Sequence, residues 1–235
     1  MPVDRGPAPR DRTGNEITYP GAKGHQKAKA ELLNRLDCYC SYCERPGDQA
    51  VEHIVPKDVY PTVRHLWVNY LLGCVNCNST KGMKDVISEP CLFPDEHNTA
   101  WAFLYGPGAV IVVNPALSAE AKQWAQSTIN LVGLDRNLPP DPRARDRRWV
   151  LRDSAWREAE DALRDLMGND TPEARRLLIC SAQGRGFFSV WWTVFGQDAD
   201  TARRREMRIK LIEAFRGTRR RCFDTNGDVI PDLRL

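Results

Sequence analysis

The sequence predicts an α+β protein: a small cysteine-stapled segment, then a β-hairpin, then a mainly helical C-terminal region. Three observations lead there. Two Cys-x-x-Cys pairs, Cys40–Cys43 and Cys74–Cys77, bracket a short β-branched segment. Ala100–Tyr105 and Ala109–Val113 are apolar runs around Gly106-Pro107-Gly108, a hairpin signal with its turn supplied by Gly and Pro. Beyond residue 144, apolar side chains recur at helical spacing.

In chain order, residues 1–22 are rich in Pro, Gly and Arg, lack periodicity and read as a flexible tail. Ala28, Leu32, Leu33 and Leu36 predict a short amphipathic helix from about Gln26 to Leu36. After the hairpin, Ala121, Trp124, Ile129 and Val132 predict a helix over Ser118–Val132, with Gly133 at its C-cap. The run Asn137–Pro142 reads as a stiff boundary between a 23–136 unit and a helical 144–235 region. Within that region, Ser154 is a candidate N-cap for a helix carrying Trp156, Ala159, Leu163, Leu166 and Met167. A second helix starts at Thr171-Pro172-Glu173 and stops near Gly184. Phe187–Phe195 reads as buried helix or strand, and Trp191 and Trp192 as core rather than a base-stacking platform. A third helix covers about Thr201–Arg216, and Asn226-Gly227 marks a small C-terminal hairpin over Cys222–Ile230.

Length and composition bound the function. A chain of 235 residues with 42% hydrophobic and 28% charged residues makes one ordinary domain, or a small core with an appendage, and is not a disordered polymer. No apolar run approaches the ~18 residues of a membrane span. The N-terminus has no apolar stretch, so no secretory leader is expected, and the cytoplasm is the expected compartment. Thiols stay reduced there, so eight cysteines point to metal or chemistry before disulfides. Residues 201–222 hold nine Lys/Arg against Glu206 and Glu213, a net +7 within a chain of +3. That basic stretch suits a polyanion, an acidic protein face or simply a solvated helix surface.

Each Cys-x-x-Cys knuckle sets two sulfurs on one side of a tight turn, and two knuckles supply the four thiolates of a closed, structural zinc site. A redox Cys-x-x-Cys would explain either pair alone but not both. Cys38 lies close enough to compete, but Cys40 with Cys43 has the knuckle spacing. Cys91, Cys180 and Cys222 read as small buried hydrophobes. Between the knuckles runs Ala50-Val-Glu52-His53-Ile-Val-Pro56-Lys57. Taken alone, the acid could face solvent and the histidine sit satisfied in a core. It is followed by Trp67-Val-Asn69 and by Cys74-Val-Asn-Cys77-Asn78-Ser-Thr-Lys81-Gly82.

The segment Cys40–Gly82 resembles the HNH nucleases of the ββα-metal class, through acid-His, Trp-x-Asn and Cys-x-x-Cys-Asn in the family's order. The resemblance implies a zinc-stapled ββα-metal nuclease core. In it His53 is the general base, Glu52 and Asn78 are the catalytic metal ligands, and Asn69 holds the loop and orients His53. Many relatives carry His where this chain has Asn78. An oxygen donor there, beside Glu52, favours Mg²⁺ or Mn²⁺ over Zn²⁺ in the catalytic site. Glu52 and His53 are neighbours on a strand, so a bend at the strand end is expected to bring both toward the metal. Lys57 and Lys81 are candidate phosphate contacts, as are Arg203, Arg204 and Arg208. An exposed lysine is the plain alternative for the first two.

From about Leu36 to Arg136, including Thr128-Ile-Asn-Leu-Val-Gly-Leu-Asp-Arg136, the chain looks like the HNH subunits of Septu antiphage systems, the PtuB family. That implies a bacterial defence effector cutting nucleic acid, DNA before RNA, beside an SMC-like ATPase of the PtuA kind. The alternatives are a non-catalytic zinc-containing nucleic-acid-binding module and an ATPase-associated scaffold. Asp95, Glu96 and His97 form a further polar cluster, either an accessory metal site or a capped turn.

Overall fold

The computed structural model describes residues 1–108, 110–136 and 146–234. The Asn137–Pro142 boundary and Ala109 of the hairpin run lie outside the described residues. Among the described residues the architecture is α+β, mostly helical, with two separate two-stranded antiparallel sheets. Among the described residues no helix is long and apolar enough to cross a membrane.

Helix α1 covers Gly21–Leu36 and buries Ala28, Leu32 and Leu36, the stripe its sequence predicts, although it begins ahead of Gln26. Strand β1, Ala50–His53, pairs with β2, Tyr70–Gly73, in the register Ala50↔Gly73, Glu52↔Leu71 and His53↔Tyr70. Helix α2, Val75–Lys81, follows β2 directly. After a helical turn, α3, Thr99–Ala102, comes the expected hairpin, with β3 at Phe103–Gly106 and β4 at Val110–Val113. Helix α4, Ala119–Val132, is capped by Ser118, whose hydroxyl accepts the Ala121 amide. It ends at Gly133 in the left-handed region, φ 64, where a side chain other than glycine would be strained.

The C-terminal region is α5, Arg148–Gly168; α6, Pro172–Arg185; α7, Phe188–Phe195; and α8, Thr201–Ala214. Helix α5 starts a turn and a half before Ser154, which sits inside it and accepts from Arg185 instead of capping. The aromatic run is the helix α7. It packs between α5 and α8 and against β3, with Phe187, Phe188, Trp191 and Phe195 nearly inaccessible. Trp191 is core, as expected. Trp192 is half-buried, with its indole N–H on the Gly227 carbonyl and the Arg208 guanidinium 3.9 Å over its ring. The tail makes a turn at Asn226-Gly227 closed by one bridge, Phe223↔Val229, rather than paired strands.

The N-terminal residues, expected as a flexible tail, run along the body. Met1 and Val3 are 4% and 1% exposed. The Val3 and Asp4 amides donate to the Pro94 and Gly217 carbonyls, and Arg5 bonds the carbonyls of Val68 and Tyr70. Proline and glycine hide a segment's fixed path when its partners are all distant in sequence.

Candidate active site and metal centre

The first knuckle, Cys40-Ser-Tyr-Cys43, is tied to β2 from the side. The Ser41 amide donates to the Leu72 carbonyl, and the Leu72 amide donates back to Ser41 Oγ. The chain leaves this knuckle through Glu44 at φ 63, a strained left-handed position for a non-glycine residue. The burial of Glu44 compensates: its carboxylate accepts the Ser189 amide and hydroxyl of α7. The second knuckle is the junction of β2 and α2. The Cys74 amide donates to Cys40 Sγ, and the Cys77 amide to Cys74 Sγ. All four cysteines are buried, and their sulfurs lie within 4.8 Å of one another. A tetrahedron with zinc–sulfur bonds of ~2.3 Å sets sulfurs about 3.8 Å apart, and Cys43 and Cys74 are separated by 3.6 Å. The donor set therefore fits zinc. Cys38 is exposed and outside the cluster. Cys91 and Cys222 are buried as expected, whereas Cys180 is exposed on α6.

Glu52 is 1% exposed. One carboxylate oxygen accepts the Tyr42 hydroxyl at 2.8 Å, and the other pairs with Lys81 Nζ at 2.8 Å. Burial, then the Glu52 charge, pushes the Tyr42 phenol well above its ordinary pKa and keeps it a donor. Lys81, itself 2% exposed, also donates to the His53 carbonyl at 2.7 Å. It is thus neither an exposed lysine nor a surface phosphate contact. It is the buried counter-charge of Glu52, because the last turn of α2 lays its stem across β1. Gly73 leaves room for the acid. A Cβ there would stand 2.9 Å from Glu52 Cβ and Cγ and 3.8 Å from Asn78 Cβ. Glu52 and Asn78 thus flank the same glycine. Asn78 opens onto a surface pocket of about 480 Å³, shared with Ala50, Val75 and Ser79.

His53 faces the other way. Its ring meets Tyr70 edge-on at 5.1 Å and His25 of α1 at 5.2 Å, while Glu52 lies among Tyr42, Lys81 and Gly73. The chain bends just past the strand, at Ile54 and Val55, but the bend does not bring the two side chains together. Pairing continues past His53 through the Ile54 amide to the Asn69 carbonyl, so strand alternation keeps the two side chains on opposite faces. His53 Nε2 lies 3.1 Å from the Arg64 carbonyl. A carbonyl only accepts, so Nε2 carries the hydrogen and Nδ1 the lone pair. Burial, then the charges of Lys57 and His25, lowers the His53 pKa to about 4.

The Asn69 side chain hydrogen-bonds to backbone rather than to the His53 ring. Its Oδ1 accepts the Val55 amide at 2.7 Å, and its Nδ2 donates to the Val55 and Val63 carbonyls. It thus clamps both ends of the loop that presents the Arg64 carbonyl to His53. Sequence reading missed His25, Tyr42 and Tyr70, since nothing in their spacing links them to Glu52 or His53. Arg203 is paired with Asp198 and Asp170, and Arg208 is stacked on Trp192 and paired with Asp228. Both guanidiniums are engaged inside the chain rather than standing free for phosphate. Lys57 and Arg204 are half-buried. Asp95 pairs with Arg5, and His97 Nδ1 accepts the Phe93 amide in a turn ahead of α3. Among the described residues, the metal-capable group of His, Cys, Asp and Glu is the four cysteines.

Residues 40–84 match the model of the HNH endonuclease family. Over 76 residues the chain is 38% identical to the Septu protein PtuB of Bacillus thuringiensis, a stretch that covers 30% of this chain and 30% of that protein. The segment similar to the HNH endonuclease family is the one that holds the two knuckles, the β1–β2 pair and α2.

Proposed function

We propose that this chain is a metal-dependent endonuclease that hydrolyses phosphodiester bonds of nucleic acid, DNA in preference to RNA. In this reading it is the effector of a bacterial antiphage system and works with an SMC-like ATPase. The observation that carries the reading is His53 itself: a neutral imidazole in one tautomer, fixed by the Arg64 carbonyl, within the matched segment. His53 Nδ1 accepts the proton of the attacking water. Asn69 holds the His53–Arg64 contact by clamping the loop on both sides. Glu52 and Asn78 hold Mg²⁺ or Mn²⁺, which when bound supplies Lewis-acid stabilisation of the phosphate and the leaving oxygen. Zinc at Cys40, Cys43, Cys74 and Cys77 holds the knuckles and takes no part in the chemistry. Lys57, beside His53, and Arg204 on α8 remain the phosphate contacts of this reading. The likeness to a Septu protein supports the defence assignment and the ATPase partner.

Two observations favour a second reading, a zinc-containing nucleic-acid-binding or ATPase-associated scaffold. His53 and Glu52 lie on opposite faces of β1, which sets the base apart from the acid. Both oxygens of Glu52 are already engaged by Tyr42 and Lys81. Nicking of supercoiled plasmid under single-turnover conditions, over a Mg²⁺ and Mn²⁺ titration and with an RNA of the same sequence in parallel, separates the two. The nuclease nicks the plasmid, and His53→Ala is slower by ~10²–10⁴ with unchanged fold and zinc content. If His53→Ala cleaves at the wild-type rate, the assignment of the base is wrong. If wild type binds DNA and never cuts it, the scaffold reading stands.

A further inference from the structure

We propose that Arg148, at the first turn of α5, is a working part of the zinc centre: it holds a positive charge and a hydrogen bond on the metal-binding sulfur of Cys77. The inference rests on the reading that the four cysteines bind zinc. It assigns a metal-site role to a residue that lies well beyond the matched segment 40–84.

Arg148 is 3% exposed, and each of its N–H donors has an acceptor. Nη1 donates to Cys77 Sγ at 3.0 Å and to the Val132 carbonyl at 2.8 Å. Nη2 donates to the Gly133 carbonyl at 2.9 Å and to Asp146, and Nε donates to the same carboxylate. The planar fork is thereby fixed on three sides, and its remaining direction is the sulfur. Two of these partners are the last carbonyls of α4, which have no intrahelical donor and form the negative end of that helix. The guanidinium thus closes α4 and reaches the knuckle with the same nitrogen.

The charge balance gives the contact its purpose. Zinc with four thiolates carries two net negative charges, and here the cysteines are buried. Buried charge is costly unless hydrogen-bonded and compensated. The amides of Cys74 and Cys77 offer only dipoles to the sulfurs. Arg148 brings a full charge, with an N–H aimed at one of the sulfurs. Asp146 locks the orientation of the fork from its solvent side, at 15% exposure. A point charge such as lysine could not satisfy the sulfur, two carbonyls and a carboxylate together. The helical region is thereby bonded to the nuclease segment at its metal centre.

The test is zinc retention in the full chain, read without any cleavage assay. Zinc release to a chromophoric chelator is timed for wild type, Arg148→Gln and Arg148→Lys. Arg185→Gln, which breaks an ion pair with Glu158 elsewhere on α5, is the control for plain destabilisation. Loss of a hydrogen-bond partner behind a metal ligand typically costs about 10–100-fold in affinity. Arg148→Gln should release zinc faster by that factor, Arg148→Lys should fall between, and Arg185→Gln should match wild type. With cobalt in place of zinc, the thiolate-to-metal charge-transfer band should shift in both Arg148 variants and stay put in the control. Zinc-loaded Arg148 variants with wild-type release rates and unshifted bands overturn this inference alone. A wild-type protein that holds neither zinc nor cobalt overturns the four-cysteine reading and this inference with it.

Discussion

Glu52 illustrates how much one side chain depends on its neighbours. Its carboxylate is almost wholly buried, and Lys81 and Tyr42 meet its two oxygens. Lys81→Met leaves that carboxylate buried without a counter-charge, and stability should drop by about 3–5 kcal/mol, measured by urea unfolding. If Glu52 is a metal ligand, Mn²⁺ should recover part of the loss in this variant, and Mg²⁺ at equal concentration less. Gly73 is the second sensitive position. Its added Cβ would meet Glu52 Cβ and Cγ at 2.9 Å, on a strand whose backbone is held by β1. Gly73→Ala should therefore cost about 1–3 kcal/mol and abolish nicking, with zinc content unchanged. A Gly73→Ala protein that cleaves normally would show that Glu52 has room to spare and does not share a site with Asn78.

At the scale of elements, the two knuckles hold three separate pieces: the 40–43 turn, the end of β2 and the start of α2. A structural zinc contributes about 10–16 kcal/mol of apparent binding energy, more than the whole stability of a typical domain. Cys43→Ser or Cys77→Ser should thus unfold the 40–84 segment, seen as lost zinc and a lost cooperative transition. Helix α8 makes the opposite point. Its arginines read from sequence as one basic surface, but Arg203 and Arg208 are occupied by Asp198, Asp170 and Asp228. Three free arginines would contribute about three units to the salt slope of nucleic-acid binding. With two of them engaged inside the chain, neutralising Arg203, Arg204 and Arg208 together should flatten the slope by about one unit and lower the melting temperature as well. A fall of three units would mean that the ion pairs open when nucleic acid binds.

Over the whole molecule, the histidines set the acid limit of stability. Burial lowers the pKa of His25, His53 and His97 below the ordinary value near 6.5. The unfolded chain therefore takes up these protons first as pH falls. The stability is fully present above about pH 6.5 and is lost progressively below it, as pH moves toward the folded values. Urea midpoints between pH 7.5 and 5 should decline, and His97→Gln should flatten that decline without affecting cleavage. A constant midpoint over that range would show the imidazoles to be better solvated than their burial implies. The same long-range packing explains why the first residues are part of the body: Val3, Asp4 and Arg5 bond to Pro94, Gly217, Val68 and Tyr70.

What the sequence by itself determined are features whose cause lies within a few residues. The knuckles need only a Cys-x-x-Cys turn, α4 only its Ser118 cap and Gly133 stop, and the β3–β4 hairpin only Gly106-Pro107-Gly108 between β-branched runs. The acid-His, Asn and Cys-x-x-Cys-Asn pattern marked the HNH segment for the same reason, since its order and spacing are local. Tertiary structure alone decided the partners of those residues. Lys81 went to Glu52 rather than to solvent, and Asn69 to the Val55 and Val63 backbone rather than to the His53 ring. His25 came from α1 to face His53, and Arg148 crossed 71 positions to reach Cys77. A buried ion pair or hydrogen bond between distant residues forms because packing leaves each group no other partner, and desolvation makes an unpaired group costly. That choice depends on which surfaces the folded chain presses together, and no spacing in the sequence records it.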